Sequence, residues 1–390
     1  MSAPLLSRAL IAGLLPLVFP PGPAAADEAW QAQVFGRLQY DYAHSSGDRS
    51  GFDLDRGEMR TGRVGLDMKG SATKLRVELA VNNEGDLEIT DAFVRQALGQ
   101  SGWSVRAGQF KTENSLDEQT SGRFTSFFER AAFTDAFGFD RRVGVQLERN
   151  GPRHSVYAGV FADNANDTAF SGGHAAAARY VFTPILTETA LLHLGVSLRW
   201  RDAGDGDIRY RQRAFSRTSG AILGTPAFAE DDLFGGVEAA WMNGPVWLAG
   251  EYGLLEAHGR GGADATYTGG YAEAGYVFGG HRTYEHSKFD RPEVYRPVTE
   301  GGPGALVLAV RADTLDLTDN AADGGRLDTF AIAADWYATG HMHAGINLYR
   351  MEADFGTTPS GLDPAFAAAL LNGAATEDVT GLSLRVQVDF

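Results

Sequence analysis

The chain closes on "LSLRVQVDF", Leu382 to Phe390. Every second residue is apolar: Leu382, Leu384, Val386, Val388 and Phe390. Ser383, Arg385, Gln387 and Asp389 stand between them. Strict alternation marks an extended strand with one apolar and one polar face. The same pattern recurs upstream. Val34, Leu38, Tyr40 and Tyr42 alternate with Phe35, Arg37, Gln39 and Asp41. Leu75, Val77 and Leu79 alternate with Lys74, Arg76 and Glu78. Leu192, Leu194, Val196, Leu198 and Trp200 alternate with His193, Gly195, Ser197 and Arg199. Strands of a soluble sandwich are typically about five or six residues long. These segments run to about ten, the length of a tilted strand that crosses a bilayer. Their polar faces carry charge and their apolar faces almost none, which is the pattern of a wall between lipid and a watery interior. Aromatic residues such as Tyr40, Trp103, Trp200, Trp241, Trp247, Trp336 and Tyr337 stand near segment ends, where interfacial girdles are expected.

Composition narrows the function. The 390 residues contain no cysteine, which excludes disulfides and thiolate metal sites. A net charge of −16 disfavours nucleic acid as a partner. Lysine occurs only at Lys69, Lys74, Lys111 and Lys288; all other fixed positive charge is arginine, whose planar fork of donors suits oxyanions. At the N-terminus, Arg8 precedes an apolar run from Ala9 to Phe19, then a Pro-Gly break and Ala24-Ala25-Ala26. That is a secretory signal peptide over residues 1–26, with the barrel domain over 27–390. At about 1.5 Å per residue the run is too short to span a hydrocarbon core of about 30 Å.

Connections set the strand count. Very short turns are read at 70–72, 99–101, 151–153, 243–245 and Gly340, and long connections at 43–57, 112–141, 163–173, 202–230, 256–266, 313–325 and 354–380. Bacterial barrels have short periplasmic turns, long outer loops and an even number of strands. Counting 207–214 as a wall strand makes the number odd. The expected fold is therefore a 16-stranded antiparallel transmembrane β-barrel with inward-folded loops, and "DIRYRQRAFSRT" belongs to its fifth outer loop. In extended backbone Arg209, Arg211 and Arg213 share one face, spaced by about 6.5–7 Å. Like charges that close call for a counter-anion, and weak sites in series are what conduction requires. A solvated basic loop edge, or arginines facing lipopolysaccharide phosphates, would show the same spacing. On the second strand, Arg60 and Arg63 are three apart, so strict alternation turns Arg63 inward and leaves Arg60 at the rim or on a bend.

Four stretches resemble one family, the phosphate-selective porins O and P. "GQFKTENSLDEQTSGRFTSFFERA" (Gly108–Ala131) is similar to its constricting third loop, and "ITDAFVR" (Ile89–Arg95) to its fourth strand. "GYVFGGHRTY" (Gly275–Tyr284) resembles its motif before a long turn, and "AADWYATGHMHAGINLYR" (Ala333–Arg350) its penultimate hairpin. The terminal Phe390 matches the assembly signal of outer-membrane barrels. The resemblance implies a homotrimer in the outer membrane of a Gram-negative cell, with an arginine ladder of pattern R-x-R-x-R-x3-R. Arg209, Arg211, Arg213 and Arg217 match that pattern. Family members that prefer phosphate also line the pore with several lysines; here Lys111 and Lys74 are the lumen candidates. With Arg123 in the constricting loop and Arg63 on the wall, these residues are the expected anion-binding set. The expected partners are inorganic phosphate or similar anions, and lipopolysaccharide and lipid around the barrel. A general porin or a non-conducting adhesin barrel is the alternative. His341 and His343 lack a third ligand nearby, no paired acid and base stands out, and there is no nucleophile elbow. No enzyme, metal or cofactor is expected.

Overall fold

A computed structural model of the chain describes residues 30–81, 85–167 and 172–390. The expected signal peptide lies outside the described residues. In chain order the strands are β1 Gln31–Gly47, β2 Asp53–Lys69, β3 Thr73–Val81, β4 Leu87–Ala97, β5 Trp103–Lys111, β6 Arg141–Asn150, β7 His154–Phe161, β8 His174–Leu186, β9 Ala190–Asp202, β10 Arg211–Arg213, β11 Ala221–Gly224, β12 Ala229–Asn243, β13 Val246–Gly259, β14 Ala265–Phe278, β15 Gly280–Glu285, β16 Lys288–Val294, β17 Ala305–Asp316, β18 Gly325–Thr339, β19 Met342–Phe355 and β20 Thr376–Asp389. Sixteen of them form one closed antiparallel barrel; β10–β11 and β15–β16 are separate hairpins. Among the described residues three short α-helices, α1 Leu116–Gln119, α2 Ala132–Ala136 and α3 Pro364–Leu371, lie in connections.

Closure runs through the last strand. β20 pairs with β1 in the register Tyr42↔Leu384 and Leu38↔Val388, and Phe390 exchanges two backbone hydrogen bonds with Gly36, at 3.0 and 3.1 Å. Leu384, Val386, Val388 and Phe390 point out of the barrel, while Ser383, Arg385, Gln387 and Asp389 are buried inside it. β9 repeats this, with Leu194, Val196, Leu198 and Trp200 outside and His193, Ser197 and Arg199 inside. Among the described residues no helix is long and apolar enough to cross a membrane.

The interior is polar but not loose. Arg179 is paired to Glu113 and Glu238, Arg199 to Asp232, and Arg311 to Glu273, all buried. Burying such charges is costly unless each has a partner and hydrogen bonds, so these pairs fix the wall where it meets the inserted loops.

Two expectations are corrected. Trp247 and Tyr337 do not stand in the girdles: both point inward and are almost fully buried, because their neighbours Val246/Leu248 and Trp336/Ala338 hold the opposite parity. Arg60 and Arg63 both point inward, to Glu129 and Asp41 and to Glu78. The strict alternation that kept one of them out does not hold, and of the two places expected for Arg60 the bend is the one found. A register shift between Gln39 and Tyr40 leaves residue 60 without a partner on β1. Such a bulge places two positions opposite one and resets the alternation.

Candidate functional site

Three inserted pieces narrow the lumen. The first is the connection 112–140. Ser115 caps α1, accepting from the Glu118 N–H at 3.1 Å. The wall carboxylate Glu251 accepts the N–H groups of Leu116 and Asp117 at 3.0 and 2.6 Å. Asp313 accepts the Ala132 N–H at 2.8 Å, at the start of α2, and Asn347 accepts the Phe128 N–H at 2.8 Å. Free N–H groups at a helix start favour negative charge, so the wall acids hold this loop inside. Phe127, Phe133 and Phe137 bury the apolar side of the loop, with Phe139 and Phe234 packed edge-on at 4.8 Å.

The second piece is the connection 203–228, which contains β10 and β11. Here Tyr210, Gln212 and Ala214 are buried, and Arg209, Arg211 and Arg213 occupy the other face. Tyr210 packs on Tyr267 at 5.2 Å and donates to Asp232 at 3.0 Å; Phe215 packs on Tyr349 at 4.6 Å. All three wall partners face inward, so the hairpin lies within the barrel. Arg211 and Arg213 are exposed to the watery interior, and Arg209 lies beside Gly361. Arg217 departs from this row. Phe215 takes a left-handed φ of 45°, which ends the alternation. Arg217 then donates its backbone N–H to Glu129 at 3.1 Å and its guanidinium to the Arg60 carbonyl at 2.9 Å. It works as a strut between two loops and the wall.

The third piece enters from the opposite end, where the turns are short. The connection 279–304 was not marked as long by the spacing of short and long connections, although the resemblance placed a long turn after the motif Gly275–Tyr284. Its strands β15 and β16 are joined by His286 and Ser287, both at positive φ, as a tight two-residue hairpin turn requires. Arg282 reaches up to donate to the Phe124 carbonyl at 2.8 Å and Ser126 Oγ at 3.1 Å, and stacks on Trp247 and Phe289 at 4.2 and 4.1 Å. The Tyr284 hydroxyl meets His193 Nδ1 at 2.6 Å. This hairpin supports the constricting loop from beneath.

The remaining expected residues are paired. Lys111 Nζ lies 2.7 Å from Glu118, and Arg123 lies 3.1 Å from Asp389, which also takes Arg291 at 2.5 Å. Arg63 is 3.5 Å from Glu78 and donates to Thr61 Oγ1 at 3.1 Å. Lys74 shares Asp67 with Arg76, at 3.1 and 2.6 Å. Sequence reading missed Arg37. It lies directly across from Arg63 in the strand register, and no hydrogen bond or ion pair of its guanidinium with the described residues is found. Like charges directly opposed are unfavourable without an anion between them. Its signal was the inward parity it shares with Gln39 and Asp41. His341 sits on the turn after β18, its Nδ1 3.1 Å from the Asp389 carbonyl, while His343 is buried against Tyr337. The two do not converge.

The sequence matches the family described as phosphate-selective porin O and P over residues 33–390. A protein of Caulobacter vibrioides is 33% identical over 386 residues, covering 94% of this chain and 75% of the relative. Porin O of Pseudomonas aeruginosa is 26% identical over 310 residues, covering 69% of this chain and 70% of the relative. In fold, the anion-selective porin from Comamonas acidovorans superposes with a TM-score of 0.61 at 12% identity, over 93% of this chain and all of that one.

Proposed function

The chain belongs to the phosphate-selective porin O and P family, and from that premise we propose that it is a passive anion channel that prefers phosphate or related oxyanions. That it is an outer-membrane porin follows from the family and the barrel. The anion preference is our reading, and the observation that carries it is the row of Arg209, Arg211 and Arg213 on the open face of the inserted hairpin. Arginine binds an oxyanion through two parallel hydrogen bonds. The exposed guanidinium groups of Arg211 and Arg213 bind weakly enough to release their anion, and the more enclosed Arg209 precedes them. Three in a row offer an anion successive exchangeable partners, which conduction needs. Below them, Arg37 and Arg63 extend the positive lining along the wall, while Lys111, Arg123 and Lys74, each held by a carboxylate, contribute field more than binding. We also propose a homotrimer, with lipid and lipopolysaccharide around it, as the family resemblance implies.

Phosphate titrated into a chloride-conducting channel tests the preference. The chloride current through single channels falls with a saturable dependence on phosphate. Current that changes only in proportion to ionic strength would leave a general anion porin.

A further inference from the structure

The third arginine of the row has a neighbour of opposite sign. Asp135, on α2 of the constricting loop, places Oδ2 3.7 Å from Arg213 Nη1; the two side chains are 45% and 48% exposed. Every other residue of α2 is buried. Asp135 is the one position where that helix meets the watery interior, and it meets it beside the ladder.

Building on the anion-channel reading, we propose that Asp135 is a tethered counter-charge of the ladder: it occupies Arg213 between passages and competes with each arriving anion for that guanidinium. The consequence is a weaker rung. An anion bound at Arg213 is displaced by the returning carboxylate, so it leaves instead of lodging. Asp135 touches no solute and is a positioning residue acting through Arg213. A long, half-exposed ion pair of this kind is worth about 0.2–1 kcal/mol, enough to lower occupancy at one rung and too little to close the channel.

The groups around Asp135 make the device sensitive to pH. Arg213 of the second inserted loop and Arg60 of β2 hold the carboxylate charged, whereas Glu129 and Glu118 of its own loop oppose it. Enclosure by the barrel is the largest influence, and the net effect raises its pKa above the ordinary aspartate value. A raised pKa means protonation at a higher pH than usual. As pH falls from neutral, Asp135 lets go of Arg213 before ordinary exposed carboxylates titrate.

Sulfate block of single-channel chloride current tests this, because the charge of sulfate is constant over the range. Asp135→Asn should lower the half-blocking sulfate concentration at neutral pH by about 1.5- to fivefold. In the wild type that concentration should fall toward the variant's value as pH is lowered, and the variant should vary far less. In an Arg213→Ala background, Asp135→Asn should change nothing further. Asp328→Asn, which removes the same charge from the outer face, should behave as wild type. Identical block and identical pH profiles for wild type and Asp135→Asn would overturn the inference while leaving the anion channel intact. A wild type that sulfate fails to block would remove the ladder reading and this inference with it.

Discussion

Replacing Arg211 and Arg213 together by alanine lowers the anion-to-cation permeability ratio by about five- to thirtyfold. Both side chains stand on the exposed face of β10, while their neighbours Tyr210, Gln212 and Ala214 are buried against the wall. The substitution therefore removes charge from the lumen without removing a packing contact that holds the hairpin. A half-exposed guanidinium is worth about 0.5–1 kcal/mol to a passing anion. Two of them amount to about 1–2 kcal/mol, and that is a factor of about 5–30 in a population ratio. The effect should shrink as salt is raised, since interactions between exposed charges are screened over about 10 Å at 0.1 M. Arg217→Ala should differ in kind. Its guanidinium donates to the Arg60 carbonyl of β2, so its loss loosens the hold of this loop on the wall and alters conductance more than selectivity. Reversal potentials of the three proteins in one salt gradient check this. A double variant with the wild-type ratio would show that the ladder does not set selectivity.

Leu384→Arg destabilises the barrel by about 2–4 kcal/mol, the measured scale for arginine on the lipid face near the bilayer midplane. Leu384 lies in the middle of the outward row of β20, is 42% exposed on the barrel exterior, and pairs in register with Tyr42 and Ile346. An arginine there has no carboxylate on the outer face beside it, unlike Arg385, whose guanidinium is forked on Asp41 at 2.7 and 2.6 Å inside. Leu384→Val keeps the surface apolar and should be neutral. Urea titration of the protein folded into vesicles reads the difference. Equal stability of the arginine and valine variants would mean that this face does not meet lipid.

The alternation that identifies the wall was legible because each strand separates two solvents. Lipid tolerates no charge and the interior tolerates a great deal, so period two survives in strand after strand. Local departures were not legible. The bulge at Arg60 depends on a register shift in the partner strand, and the girdle assignment of Trp247 failed because proximity to a strand end was weighed above its parity. The hairpin of 279–304 breaks the rule of short turns at that end, so the pattern of connections hid it and only the resemblance of Gly275–Tyr284 pointed to a long turn there. At the site, the row of three arginines was visible from spacing alone. What each cation is paired with was not: Arg123 finds Asp389 and Arg60 finds Glu129 only after the chain has closed and its loops have folded inward. Arg217 shows the limit of a spacing pattern, since one left-handed residue, Phe215, takes it out of the row.

The central claim is that local positive charge in the lumen outweighs a net charge of −16 spread over the chain, because selectivity follows the lining and not the sum. The zero-current potential of the wild-type porin across a planar bilayer, with potassium chloride at tenfold different concentrations on the two sides, measures that balance directly. A potential of the sign set by chloride, approaching its equilibrium value, is the predicted result; a potential of the sign set by potassium would contradict the account.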